Sequence, residues 1–254
     1  LNSWLLSLIV FVCLSGGACL GMRLRARLPA HHLDDGTKDV VRVAMGLVAT
    51  MAALVLGLLV ASAKSTYDDA ISEFNKISAD LVLLDASLAQ YGTETKDARD
   101  LLGRTATALL GRTWVQKASQ APKLDDQQTT WQGRELYRKI QELVPQNDMQ
   151  RRLQAQALDI CQSLGSMRWL LAAQQEGTAI PMPFMLILIF WLAALFASFG
   201  LFAPANATAI VAVELCALSV STAILLILEL ARPFNGIIQI SSAPLRDAIA
   251  QLGQ

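Results

Sequence analysis

Four long stretches without a formal charge constrain this chain more than any other feature. Residues 1–22, 43–63 and 177–213 contain no Asp, Glu, Lys or Arg, and Glu214 alone separates the last of these from 215–228. About 20 apolar residues of helix cross the hydrocarbon core of a bilayer. Backbone polar groups in lipid must bond within their own segment, so such runs fold as helices. The pattern predicts an all-α protein with four transmembrane helices, over about 3–22, 42–63, 184–202 and 207–231. Pro181 and Pro183 mark the start of the third, and Pro204 with Asn206 makes the turn between the third and fourth. Arg23, Arg25 and Arg27 follow the first run, which lacks a basic leader of its own; that is a stop-transfer pattern rather than a cleaved signal peptide.

The remaining sequence divides accordingly. Residues 1–63 hold helices one and two, 64–180 form an extramembrane helical domain, 181–231 hold helices three and four, and 232–254 form a C-terminal amphipathic segment. Arg23, Arg25, Arg27, Lys38 and Arg42 crowd the short first loop, and positive charge in short loops stays in the cytoplasm. The inserted domain then lies outside, in the periplasm for a bacterial inner membrane. Its own 14 Lys/Arg and 15 Asp/Glu do not bear on orientation, because long loops translocate largely regardless of charge.

Within the inserted domain Ile71, Phe74, Ile77, Leu81, Leu84, Leu88 and Tyr91 recur at three-and-four spacing, which predicts an amphipathic helix stopped at Gly92. Ala98, Leu101, Leu102, Thr105 and Leu109 give a second helix. Pro122 and Asp125–Asp126 open a third, to about Val144. Pro145 begins a turn with Asn147 or Asp148 as N-cap, and a fourth helix carries Leu153, Ile160, Leu164 and Met167. Trp114, Trp131 and Trp169 fit core or interface positions. Beyond the last span, Ala243–Pro244 opens a short helix whose apolar side is Leu245, Ala248, Ile249 and Leu252; it lies on the membrane surface or against the helical domain.

Several functions are disfavoured. Formal net charge is zero, and no basic run of the kind that grips nucleic acid is present. The four cysteines form no CxxC and have no His at metal spacing, so no metal or other cofactor is expected. Cys13, Cys19, Cys161 and Cys216 read as small buried apolar residues. No phosphate loop, nucleophile motif or hydrolase acid pair is present, and the chain does not read as an enzyme.

Two stripes carry the functional reading. On the second span Gly46, Thr50, Ala53, Gly57, Ala61 and Lys64 share one face, a small-residue face suited to close helix packing. On the fourth, Glu214, Ser221, Glu229 and Arg232 lie within about 60° of one another. The two carboxylates are 15 residues apart, about 22 Å along the axis. Glu229 stands near the outer end, level with Lys64, and has Arg232 three residues on as a helical partner. Glu214 lies about two turns inside the membrane with no basic residue at that depth. A carboxylate there is costly and marks an ion or proton pathway by default. Arg232 and Pro233 end the helix, because Pro233 removes a donor and restricts the residue before it; Phe234, Asn235 and Gly236 complete the turn.

The stretches "GLVATMAALVLGLLVASAKSTYDDA", "LLDASLAQYGTETKDARDLL", "LFAPANAT" and "LELARPFNGIIQISSAPLRDAI" resemble the bacterial family described as bestrophin-like, over nearly the whole chain. Family members often carry Arg in place of Ala205 and of Ala86. The resemblance implies kinship with bestrophins, which are pentameric anion channels with four spans, a large cytoplasmic helical insertion after the second span, and a Pro-Phe-Gly element after the last. Here that element reads Pro233-Phe234-Asn235-Gly236. The acidic calcium clasp that follows it in bestrophins has no counterpart in "IIQISSAPL", so calcium gating is not carried over. The sequence thus reads as a homo-oligomeric ion channel, tetrameric or pentameric, with lipid, ions and its own copies as partners. The path is lined by Glu214, Ser221, Glu229 and Lys64. Acidic rings favour cations and the kinship points to anions, so selectivity stays open at this point. The alternative is a non-conducting membrane sensor or scaffold whose helical domain binds a partner.

Overall fold

The structure, a computed structural model, describes residues 2–29, 34–111, 127–176, 182–204, 206–233 and 237–253, with side chains described for all of these but 127–131, 168–176 and 182. Among them the protein is all-helical: α1 Ser3–Arg25, α2 Asp35–Tyr91, α3 Lys96–Leu110, α4 Gln127–Gln141, α5 Asp148–Glu176, α6 Met182–Phe202, α7 Ala207–Leu230 and α8 Ala243–Gln251. Helices α1, α2, α6 and α7 are each long and apolar enough to cross a membrane. His31, His32, Trp114, Ala205, Phe234, Asn235 and Gly236 lie outside the described residues, as do the side chains of Trp131 and Trp169.

The chain divides into two compact units, 1–66 with 179–231 and 67–178 with 232–254. The first is built on α1. Its buried residues Ser3, Ser7, Val10, Leu14, Ala18 and Gly21 recur every three or four positions, the spacing that keeps one helical face against its neighbours. Contacts follow in rising order against α6, where Gly17 meets Ala193 and Gly21 meets Ala197, so these two helices run parallel. They follow in falling order against α7, where Ser7 meets Ser221 and Ser15 meets Glu214, so that pair is antiparallel. The α1–α6 approach is unusually close. A Cβ added to Gly21 would overlap the carbonyl of Ala197, and one added to Gly200 would overlap that of Ala18. Glycine at these two positions lets backbone meet backbone, which is how helices associate where no hydrophobic effect drives them together. The Arg25 guanidinium donates to the Ala203 carbonyl just beyond α6, a favourable place for a cation at a helix C-terminus.

Helix α2 begins upstream of the apolar run because Asp34 caps it: the Thr37 amide donates to Asp34 Oδ1 at 2.9 Å. It then continues without interruption for 57 residues, with no Pro or Gly after Gly57 until Gly92. Gly92 ends it as expected, at φ 141°, a conformation that side-chain-bearing residues rarely adopt. Thr95, fully buried, donates to the Leu88 carbonyl at 2.6 Å and satisfies the helix end.

In the second unit Phe74, Ile77, Leu81, Leu84 and Leu88 form one core with Ala98, Leu102, Ile140, Ala157, Ile160 and Met167. Asn147 is the N-cap of α5, its Oδ1 accepting from the Gln150 amide at 2.8 Å. Gln154 Nε2 reaches back to the carbonyls of Ile140 and Leu143, each at 2.9 Å, and closes the end of α4. Of the two places open to the C-terminal helix, the structure shows the second: Ile240 and Leu245 lie in this same core.

The buried-cysteine reading does not hold. Cys13, Cys19 and Cys216 face outward from the chain, and only Cys161 is half-buried, where burial pushes its thiol up to about 12. Outward-facing positions on apolar helices tolerate a small apolar side chain as readily as core positions do, so composition did not distinguish them.

Candidate ion-pathway residues

Two side-chain hydrogen bonds join α1 to α7. Ser7 Oγ donates to the Ser221 carbonyl at 2.8 Å, and Ser15 Oγ donates to Glu214 Oε2 at 2.7 Å. Both bonds join helices separated by some two hundred residues of chain. Hydroxyl donors of this kind are how apolar helices accommodate a polar group between them. Ser15, which the sequence reading did not single out, is therefore the hydrogen-bond partner of Glu214.

The fourth-span stripe is not uniform. Ser221 is 2% exposed and Glu229 5% exposed, so both point into the chain's own helices. Glu214 is half-buried. On its own helix it is flanked by outward-facing Val211, Leu215 and Leu218. Of the three, Glu214 is the group at the outer edge of the interface, where a second chain or a water path can reach it. Lys64 on α2 is exposed, and Lys64, Glu229 and Arg232 each make hydrogen-bonding or electrostatic interactions. Arg232 is exposed and Pro233 half-buried; the Pro233 carbonyl accepts from the Ile240 amide at 3.1 Å and fixes the turn after α7.

Among the described residues nothing packs against the small stripe of α2. Gly46, Ala53, Gly57, Thr50 and Ala61 are all exposed, and a Cβ added to Gly46 or Gly57 would meet open space. The buried positions of this span are instead Ala52, Leu59 and Ala63. The bulky Leu47, Leu54 and Leu58 also face outward, so the outward side of α2 has a small half and a bulky half. The glycines that do permit close packing inside the chain, Gly17, Gly21 and Gly200, were missed. Their signal was present as the small-xxx-small spacing of Gly17 and Gly21. Among the described residues no group of three or more His, Cys, Asp or Glu could hold a metal ion.

Four membrane-length helices, a serine-held carboxylate within them and a long apolar surface left bare define an all-helical integral membrane protein. The family model of the bestrophin-like domain matches residues 12–245, and the chain belongs to that family. The fold is shared with a bacterial bestrophin homologue from Klebsiella pneumoniae, solved as a single-residue variant, at a TM-score of 0.64 and 17% identity over 100% of both chains. Comparison with curated proteins finds no match.

Proposed function

We propose that the protein is a homo-oligomeric ion channel of a bacterial inner membrane, and not an enzyme. The observation that carries this reading is Glu214, held by Ser15 at the outer edge of the α1–α7 interface in helices otherwise free of charge at that depth. A carboxylate is retained at such a place when water or ions reach it. Assembly follows from α2. Among the described residues its Gly46–Ala53–Gly57 stripe has nothing against it, and a small face of this kind admits a close neighbour, here a second copy. Four or five copies place one Glu214 each around a common path, with Ser221 and Glu229 further along the same helix toward its C-terminal end and Lys64 on α2 at the level of Glu229. An acidic ring favours cations, whereas kinship with bestrophins favours anions; recording decides between them. Purified protein in a planar bilayer, with the principal cation and anion substituted in turn, is expected to show unitary currents. Silence in protein shown to be inserted and oligomeric would favour the other reading, a membrane sensor whose helical unit binds a partner.

Four spans with the second unit inserted between the second and third also accord with the helix directions, since α1 and α6 run parallel and α1 and α7 antiparallel, as alternate crossings require. The basic first loop puts the second unit in the periplasm. A single cysteine at the exposed Met149, in a chain whose four cysteines are replaced by alanine, is expected to react with an impermeant maleimide in cells whose outer membrane has been permeabilised. Reaction only after the inner membrane is broken would reverse the orientation and bring it into line with bestrophins.

A further inference from the structure

One face of α3 forms a cleft that the channel reading leaves unused. It has a volume of about 830 Å³ and is lined by Lys96, Arg99, Asp100, Gly103, Arg104 and Thr107, and closed on one side by Leu252 and Gly253 beyond α8. The α3 residues recur at three-and-four spacing, so they share one side of the helix, opposite the buried Ala98, Leu102 and Ala106.

Three features separate this cleft from an ordinary solvated helix face. The first is orientation. Arg99 donates to Asp85 through Nε at 2.7 Å and Nη2 at 2.8 Å, a bidentate pair that fixes the guanidinium plane. The same Asp85 carboxylate accepts the Gly253 amide at 3.1 Å, so one buried acid holds both walls. The Arg99 guanidinium keeps that carboxyl below the usual range, against the opposing effect of burial. The second is unpaired charge: among the described residues Lys96 and Arg104 form no ion pair. With Arg99 already matched by Asp85, these two cations face the single carboxylate of Asp100. The third is Gly103. Glycine inside a helix costs about 1 kcal/mol relative to alanine, and a Cβ here would meet nothing. Packing does not call for glycine, and its effect is to leave the floor of the cleft open between the cationic side chains.

We propose that this cleft binds a ligand presenting two or more phosphate groups, either a free polyphosphate compound or the phosphates of anionic lipid headgroups. Lys96 and Arg104 stand eight residues apart, about 12 Å along the helix, with Arg99 one turn from Lys96. Spaced phosphates satisfy both ends at once, and Asp100 between them disfavours a single small anion seated at the centre. Lysine and arginine are the side chains suited to phosphate oxygens. The proposal does not depend on conduction.

The test is calorimetric titration of the full-length protein in neutral detergent with sodium tripolyphosphate at fixed ionic strength, and of the protein in nanodiscs with and without phosphatidylglycerol. Saturable binding of one tripolyphosphate per chain is expected, weakened about tenfold or more by Lys96→Ala and by Arg104→Ala. Gly103→Leu should abolish it without lowering thermal stability, since leucine is the better helix former. Heat and thermal protection that appear only with phosphatidylglycerol, and are lost in the same variants, would assign the cleft to headgroup phosphates. Absence of binding in both arms, or binding that the three variants leave unchanged, overturns the proposal.

Discussion

Gly21→Ala and Gly200→Ala are each expected to disrupt the first unit, although each adds a single methyl group to a helix. The reason is where that group goes. At Gly21 the new Cβ overlaps the Ala197 carbonyl and comes within 2.8 Å of the Leu201 nitrogen; at Gly200 it overlaps the Ala18 carbonyl. These are backbone atoms of an opposing helix, so no side chain can rotate away. The helices must separate instead, and separation forfeits the contacts along the whole seam from Gly17 to Gly21. Overpacking a core costs about 1–3 kcal/mol where side chains can adjust. Here about 3 kcal/mol or more is expected, with little recovery of monodisperse protein in mild detergent and a lower unfolding temperature in what is recovered. Gly16→Ala is the control. It lies next in sequence to Gly17 but faces open space, and it should behave as the parent or slightly better, since alanine is the better helix former. Equal behaviour of Gly16→Ala and Gly21→Ala would refute the close α1–α6 seam.

The contrast among these glycines also shows what the sequence could and could not reveal. The four membrane-length helices were legible because lipid imposes a length and a composition that few other settings do. The stop at Gly92 and the starts at Asn147 and Asn206 were legible because each acts within a few residues of itself: Gly92 through its φ, and the two asparagines through Oδ1 groups that accept from Gln150 and Ala209 amides at 2.8 Å. The seam between α1 and α6 was not, since choosing among Gly17, Gly46 and Gly57 requires knowing which face each helix turns toward a neighbour more than 100 residues away. The same limit hid Ser15. A serine in an apolar run is common, and its bond to Glu214 exists only because α7 returns antiparallel beside α1. Helical spacing puts Glu214, Ser221 and Glu229 on one side of α7, and that side straddles the edge of the buried face, with Ser221 and Glu229 inside it and Glu214 half-buried. Periodicity gives a direction around a helix and leaves open how far the neighbouring helices wrap around it. The Asp85–Arg99 pair was likewise invisible, although both residues lie in one quoted stretch, because the turn at Gly92 is what brings them together.

Glu214→Gln is expected to change ion preference without unfolding the protein. Glutamine keeps the shape of the side chain and retains a carbonyl oxygen that can accept from Ser15, so the 2.7 Å bond to α1 has a replacement. What is lost is the charge. A unit charge about 6 Å from a passing ion contributes about 0.7 kcal/mol at the dielectric of water and about 3 kcal/mol at an effective dielectric of ~20. Removing it should lower the cation-to-anion permeability ratio by at least about threefold in bilayer recordings. Ser15→Ala is expected to act in the same direction by a smaller amount, because the carboxylate stays and loses only its positioning donor. The paired variants separate a pathway role from a packing role. If Glu214 serves only to bond α1 to α7, Ser15→Ala should lower thermal stability, Glu214→Gln should behave as the parent, and both should leave reversal potentials where they are. Currents and ion preference unaltered in Glu214→Gln would remove Glu214 from the pathway. Glu229 would then be the remaining acid of the stripe, and it is buried among the chain's own helices, so conduction past it would need those helices to part.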